Sequence, residues 1–102
     1  MEDKALKLEG EELERAALLF SALGNKLRLK VILLLASTDR PLHIKAVSKR
    51  LGVSYPTIYR HIAVLRRAGL VKVYEVGRSR VVALTKPEAL EKVLSTSREL
   101  KT

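Results

Sequence analysis

From residue 13 onward the apolar positions recur at three- and four-residue steps: Leu13, Ala16, Ala17, Phe20 and Leu23. That spacing puts them on one stripe and predicts a helix over 9–23. Gly24 is placed to end it, and Asn25 to cap the next helix. The segment LRLKVILLLAS then runs apolar almost all round after Lys30, which predicts a central buried helix over about 26–37. STDRPL at 37–42 has loop chemistry. A short third helix is expected at about 44–51, with Ile44, Val47 and Leu51 inward and Lys45, Lys49 and Arg50 outward. His43, where it begins, can cap it.

Gly52 suits the left-handed position that stops a helix. Ser54 is the expected cap of a fourth helix, 54–68, with Pro56 in its first turn, where the missing N–H costs nothing. Ile58, Ile62 and Leu65 form its inner face, with Tyr55 near the edge. The period then drops to two. LVKVYEV (70–76) and RVVAL (80–84) read as two strands joined at Gly77-Arg78-Ser79. Thr85-Lys86-Pro87-Glu88 has the form of a capping box, opening a last helix with Leu90, Val93 and Leu94 on one stripe.

The order is therefore four helices, a hairpin and a fifth helix, mainly α with a small β element (α+β). Two short helices around the tight turn Leu51-Gly52-Val53-Ser54, followed by a two-stranded ribbon, make a winged helix-turn-helix. The division expected is a helix-turn-helix at 44–69, a wing at 70–84, and dimerisation helices within 1–24 and 86–102. All belong to one domain over 1–102.

Charge sharpens this picture. The net charge is +9. Residues 1–24 hold six acids against three bases, whereas residues 41–86 hold ten bases against the single acid Glu75. A basic segment beside an acidic one points to an anionic partner that meets one part of the molecule. The alternative is a highly charged surface of the kind found in heat-stable proteins. The longest apolar run, VILLLA at 31–36, is far short of the roughly 20 residues that span a membrane. The charged N-terminus lacks the apolar stretch of a signal peptide. A cytoplasmic location is the simplest expectation. With no cysteine, disulfides, thiolate metal sites and cysteine nucleophiles are excluded together.

With Ile58, Ile62 and Leu65 inward, Pro56, Thr57, Arg60, Ala63, Val64 and Arg67 face outward, flanked by Tyr55 and Tyr59. A helix so presented fits a major groove, which is about 12 Å wide. Tyr55 and Thr57 are candidate base readers, because a hydroxyl can bond a base edge or phosphate and a ring can meet a thymine methyl. Arg60 could reach a guanine edge or a phosphate. Tyr59 suits a phosphate contact or a groove wall. Either ring could instead pack against the core or the wing. Arg78 and Arg80 at the wing tip could enter the minor groove or bind its phosphates; the alternative is a solvated hairpin whose charges protect an edge strand. Lys45 and Lys49 are candidate phosphate anchors, as is Arg50. His61 is expected to make a phosphate contact or a local hydrogen bond.

Neither histidine has a chelating partner at suitable spacing, so no metal or cofactor is expected. No nucleophile elbow, phosphate loop or paired-carboxylate arrangement marks an enzyme.

LLFSALGNKLRLKVILLL (18–35), LGVSYPTIYRHIAVLRRAGLV (51–71) and YEVGRSRVVAL (74–84) resemble the ArsR-type winged-helix transcriptional regulators, over roughly residues 13–95. The matching positions are Phe20, Ala22, Leu23, Arg28 and Leu29, then Ser54, Pro56, Arg60, His61, Leu65 and Ala68-Gly69-Leu70-Val71. The resemblance implies a homodimer built on the first and last helices, bound to double-stranded DNA. The stripes Leu13, Ala17 and Phe20, and Leu90, Val93 and Leu94, fit such an interface. Metal-sensing members carry a cysteine pair at the start of the third helix, where His43 and Lys45 stand here. Others bind zinc through histidines on the last helix, and residues 87–102 contain none. Metal sensing is therefore not carried over, and the effector, if any, stays open. The function expected is a dimeric, sequence-specific DNA-binding repressor or regulator, with repression and activation not distinguished by the sequence. Its rivals are a non-specific architectural DNA-binding protein and a winged helix used for protein or RNA contact.

Overall fold

The computed structural model describes residues 6–101; residues 1–5 and 102, and the expected elements' ends that fall on them, lie outside the described residues. Helices α1 (Gly10–Leu23) and α2 (Lys26–Ala36) lead into a short strand β1 (Leu42–His43), then α3 (Ile44–Leu51) and α4 (Tyr55–Arg67). Strands β2 (Val71–Val76) and β3 (Ser79–Leu84) form the wing, and α5 (Pro87–Glu99) follows. The five expected helices and the hairpin are all present.

The core lies where α2, α3 and α4 meet the inner face of β3. Val31, Ile32, Ile44, Val47, Ile58, Ile62, Leu65 and Val82 are completely or almost completely buried. No buried polar or charged side chain occurs among the described residues, so the core is held by apolar burial alone. Removing such side chains from water is worth about 1.5–3 kcal/mol each.

Several expectations are corrected. Helix α2 is central, touching α1, α3, α4 and β3, but it is not buried all round. Val31, Ile32 and Leu35 face the core, while Leu33 is 57% exposed. The 37–42 loop ends in β1, which pairs antiparallel with β3 (Leu42 opposite Val82, His43 opposite Val81) and makes the sheet three-stranded, in the order β1-β3-β2. Two residues are too few to carry a period-two signal, which is why this strand is invisible in the pattern.

The capping expectations divide by local competition. Asn25 does cap α2, its Oδ1 accepting from the Arg28 backbone N–H at 2.9 Å. His43 and Ser54 occupy N-cap positions without a side-chain cap bond. The capping box at Thr85 does not form. Lys86 is the N-cap of α5, while the Thr85 hydroxyl donates to the Gly69 carbonyl at 2.7 Å and its backbone N–H to the Leu70 carbonyl at 3.1 Å. Thr85 thus ties the start of α5 to the end of α4.

The molecule measures 58 × 30 × 23 Å, with a radius of gyration of 15.4 Å. A compact chain of this length would have about 13 Å. An elongated shape of this kind leaves helical surface without cover from the rest of the chain, and the apolar residues Leu13, Leu18 and Phe20 of α1 are accordingly exposed.

Candidate nucleic-acid interface

The turn between α3 and α4 is set by Gly52 at φ +67°, a left-handed conformation that costs a side-chain-bearing residue about 1–2 kcal/mol. The Gly52 N–H donates to the Lys49 carbonyl at 3.3 Å and the Val53 N–H to the Ser48 carbonyl at 3.1 Å. The Ser48 hydroxyl closes the loop on the Val53 carbonyl. This locked corner aims α4 away from α3. Ile58, Ile62 and Leu65, all at 0% exposure, anchor its inner face.

What remains outside is the candidate reading face. Ser54, Pro56, Arg60 and Arg67 are exposed, and Thr57 is half-buried. Thr57 Oγ1 accepts from the Ser54 hydroxyl at 3.0 Å and from Arg60 Nη2 at 3.4 Å. The first turn of α4 therefore carries a small hydroxyl–guanidinium cluster. Val64, expected outward, instead packs on the edge of the core.

Tyr55 and Tyr59 lie one helical turn apart, and their rings stack with centroids 6.1 Å apart and planes within 7°. Both pack partly against the core. Above Tyr59 sits Arg80 of the wing, its guanidinium carbon 5.0 Å from the ring centroid. The wing packing that stood as the alternative for Tyr59 is thus present.

Arg78 stands at the wing tip, in a two-residue turn that Gly77 enters at φ +61°. With Arg78 at negative φ, this is the pattern of a type II′ hairpin, whose twist matches that of the strands. Between wing, α3 and α4 lies a cleft of about 570 Å³ lined by His43, Lys45, Tyr55, Arg78, Ser79 and Arg80. Three cations converge on it, Lys45 from α3 and Arg78 and Arg80 from the wing, and no carboxylate lines it. Lys49 and Arg50 are exposed at the far end of α3.

His61 goes elsewhere. Its Nδ1 lies 3.1 Å from Arg28 Nη1. A guanidinium only donates, so Nδ1 accepts, and the imidazole is neutral with its proton on Nε2. Burial, then Arg28, then Arg60 hold its pKa below the usual imidazole value. Of the two roles expected for His61, the structure contains the local hydrogen bond. Arg28 also donates from Nε to the Ala22 carbonyl at 2.7 Å and from Nη2 to the Ser21 carbonyl at 3.4 Å. It joins the end of α1 to the middle of α4. In the sequence Arg28 stands out only as part of the family-like segment, because its bonding partner is 33 positions away and leaves no local signal.

On α1, Leu13, Leu18 and Phe20 are 54%, 47% and 60% exposed, and Ala17 is exposed with them. Val93 and Leu94 of α5 are half-buried. Leu90, expected in the same stripe, is 5% exposed and belongs to the chain's own core, which removes it from the exposed set. Leu29, Leu33 and Leu94 line an open groove between α2 and α5. No group of three or more histidine, cysteine or acidic side chains able to hold a metal occurs among the described residues. No helix is long and apolar enough to cross a membrane among them.

A family model described as a helix-turn-helix domain matches residues 23–74, from the end of α1 into the wing. A helix-turn-helix-type transcriptional regulator of Methanocaldococcus jannaschii is 36% identical over 67 residues, covering 66% of this chain and 74% of that protein. Among solved structures, HlyU from Vibrio cholerae superposes with a TM-score of 0.74 at 26% identity, over 90% of this chain and 98% of its own. The homodimeric winged helix-turn-helix DNA-binding domain Mb0332 from Mycobacterium bovis superposes at 0.73 with 20% identity, over 91% and 93%, and shares the fold. A solved ArsR family regulator aligns at 26% identity over 92% of this chain. The chain belongs to the helix-turn-helix transcriptional regulators, and its fold is similar to that of a solved ArsR family regulator.

Proposed function

We propose that the protein is a dimeric, sequence-specific repressor that reads double-stranded DNA, with α4 in the major groove and the wing tip at Arg78 in or beside the minor groove. The observation that carries this reading is the convergence of Lys45, Arg78 and Arg80 on one cleft beside the exposed face of α4. The hydroxyl–guanidinium cluster of Ser54, Thr57 and Arg60 offers donors and acceptors for base edges, while Tyr55 adds a ring and a hydroxyl. Arg67, Lys45 and Lys49 fit phosphate anchoring, which positions a protein without reading sequence. His61 acts behind this face, through Arg28.

The dimer would use the α1 and α5 faces. Exposed Leu13, Ala17, Leu18 and Phe20, with Val93, Leu94 and the Leu33 groove, supply an apolar surface that one copy leaves in water. The Mb0332 domain is itself homodimeric. Residues 1–24 and 86–102 would then be dimerisation arms, 44–69 the reading unit and 70–84 the wing, within one domain. Two-fold symmetry would set the recognition helices about 34–36 Å apart, one DNA turn. Repression would follow from occupancy of a promoter by the bound dimer. No cofactor is required by this reading.

The test is a titration of duplex DNA with wild type and the Tyr55→Ala, Arg60→Ala and Arg78→Ala variants, each checked for an unchanged melting temperature. All three should weaken binding. Retained affinity in all three contradicts the assignment of this face, and RNA outcompeting duplex favours RNA contact instead.

A further inference from the structure

We propose that Glu75 is a specificity-determining residue, which holds Arg80 on the ring of Tyr59 so that wing and recognition helix engage DNA as one unit. The inference rests on the DNA-reading role proposed above and deepens it.

An acid sits within the basic segment. Between residues 41 and 86 Glu75 is the one carboxylate among ten bases, and it lies on the wing that would approach phosphate. Its charge there opposes phosphate contact, a cost that only a correctly seated complex offsets. The register explains its position. Glu75 stands directly opposite Arg80 in the β2–β3 ladder, where side chains on the same face meet. Glu75 Oε2 is 3.9 Å from Arg80 Nε. The Arg80 guanidinium lies 5.0 Å from the centroid of Tyr59, and Tyr59 stacks on Tyr55 at 6.1 Å. A line of contacts therefore runs from the outer wing strand, through Arg80, to the first turn of α4.

Each link is weak by itself. An exposed ion pair and an exposed cation–π contact each shift an equilibrium by only about twofold to fivefold. Selectivity is a difference between affinities, so links of that size suffice to change it. With Glu75 present, Arg80 is retained against Tyr59 and reaches DNA only where α4 is seated in register. Without it, Arg80 is free to follow phosphates on any sequence. Arg80 is thus a positioning residue as well as a cation of the cleft, and Glu75 acts through it without touching DNA.

The experiment compares two duplexes, one enriched from genomic DNA by the wild-type protein and one of shuffled sequence with the same composition. Glu75→Gln should tighten binding to the shuffled duplex about threefold or more without tightening the enriched one, so that the ratio falls. Tyr59→Leu, which leaves charge unchanged, should weaken the enriched duplex alone; Tyr59→Phe, which keeps the ring face, should hold the wild-type ratio. In the free protein, NMR should find the Arg80 δ-protons shifted upfield by the Tyr59 ring in wild type and returned toward ordinary values in Glu75→Gln and Tyr59→Leu.

Equal tightening of both duplexes by Glu75→Gln would make its role plain charge repulsion and overturn the proposal. So would a Tyr59→Phe loss equal to that of Tyr59→Leu, or Arg80 resonances indifferent to Glu75. A wild-type protein that binds both duplexes alike defeats the selective-regulator reading itself, a failure visible before any variant is made.

Discussion

Arg28 Nη1 and His61 Nδ1 meet at 3.1 Å, and through that contact the end of α1 is joined to α4. The remaining nitrogens of Arg28 are turned to the Ala22 and Ser21 carbonyls. A side chain on α2 therefore braces the helices on either side of it. If α1 contributes to a dimer interface, the spacing of two reading helices depends on this contact.

The His61–Arg28 contact predicts a pH dependence with a definite sign. His61 has a folded pKa held below its unfolded value by burial, by Arg28 and by Arg60. The unfolded chain therefore binds the proton more readily, and stability rises with pH. The contribution is fully present above the unfolded imidazole pKa, about 6.5, and is lost as pH falls from there through the lower folded value. Melting temperatures between about pH 7.5 and about pH 5 should fall for wild type and fall less for His61→Gln. Parallel curves for the two would contradict the assignment.

Arg28 itself should matter through geometry more than charge. Arg28→Ala removes three hydrogen bonds and should cost about 1–3 kcal/mol in denaturant unfolding. Arg28→Lys should recover little, because an ammonium cannot reproduce the planar fork. Full recovery by lysine would show that only the charge is used.

At the corner between α3 and α4, Gly52→Ala should destabilise by about 1–2 kcal/mol. An added Cβ would meet nothing within 4 Å, so the cost is conformational. Gly52→Asn should cost less, because asparagine tolerates the left-handed region. Equal costs in equilibrium unfolding would point away from backbone strain.

Phe20→Glu should convert a dimer to a monomer in sedimentation while leaving the fold's circular dichroism intact, since Phe20 is 60% exposed in the single chain. An unchanged sedimentation coefficient would move the interface away from α1.

Much of this architecture is legible in the amino-acid order. The inward stripe Ile58, Ile62 and Leu65 follows from period alone, and with it the outer face carrying Arg60 and Arg67. Gly52 announces its corner because few other residues adopt that backbone, and the positive charge declares its partner by crowding into 41–86. The illegible parts are contacts between distant positions. Strand β1 exists only because β3 offers an edge. Thr85 forsakes its helix for the Gly69 carbonyl. Leu33 reads as core but is exposed, and Leu90 reads as interface but is core, because a stripe says which side is apolar and not what will cover it. Tyr59 beneath Arg80 depends on how the wing folds back, which no local pattern records.

The central claim is that a dimer of this chain reads a particular DNA sequence. The most direct test is selection: incubate the purified protein with sheared genomic duplex near physiological salt, recover what is bound, and sequence it. A palindrome with half-sites about 10 base pairs apart, centre to centre, is the predicted result. Strong retention with no enriched motif would contradict the claim and identify a protein that grips DNA without reading it.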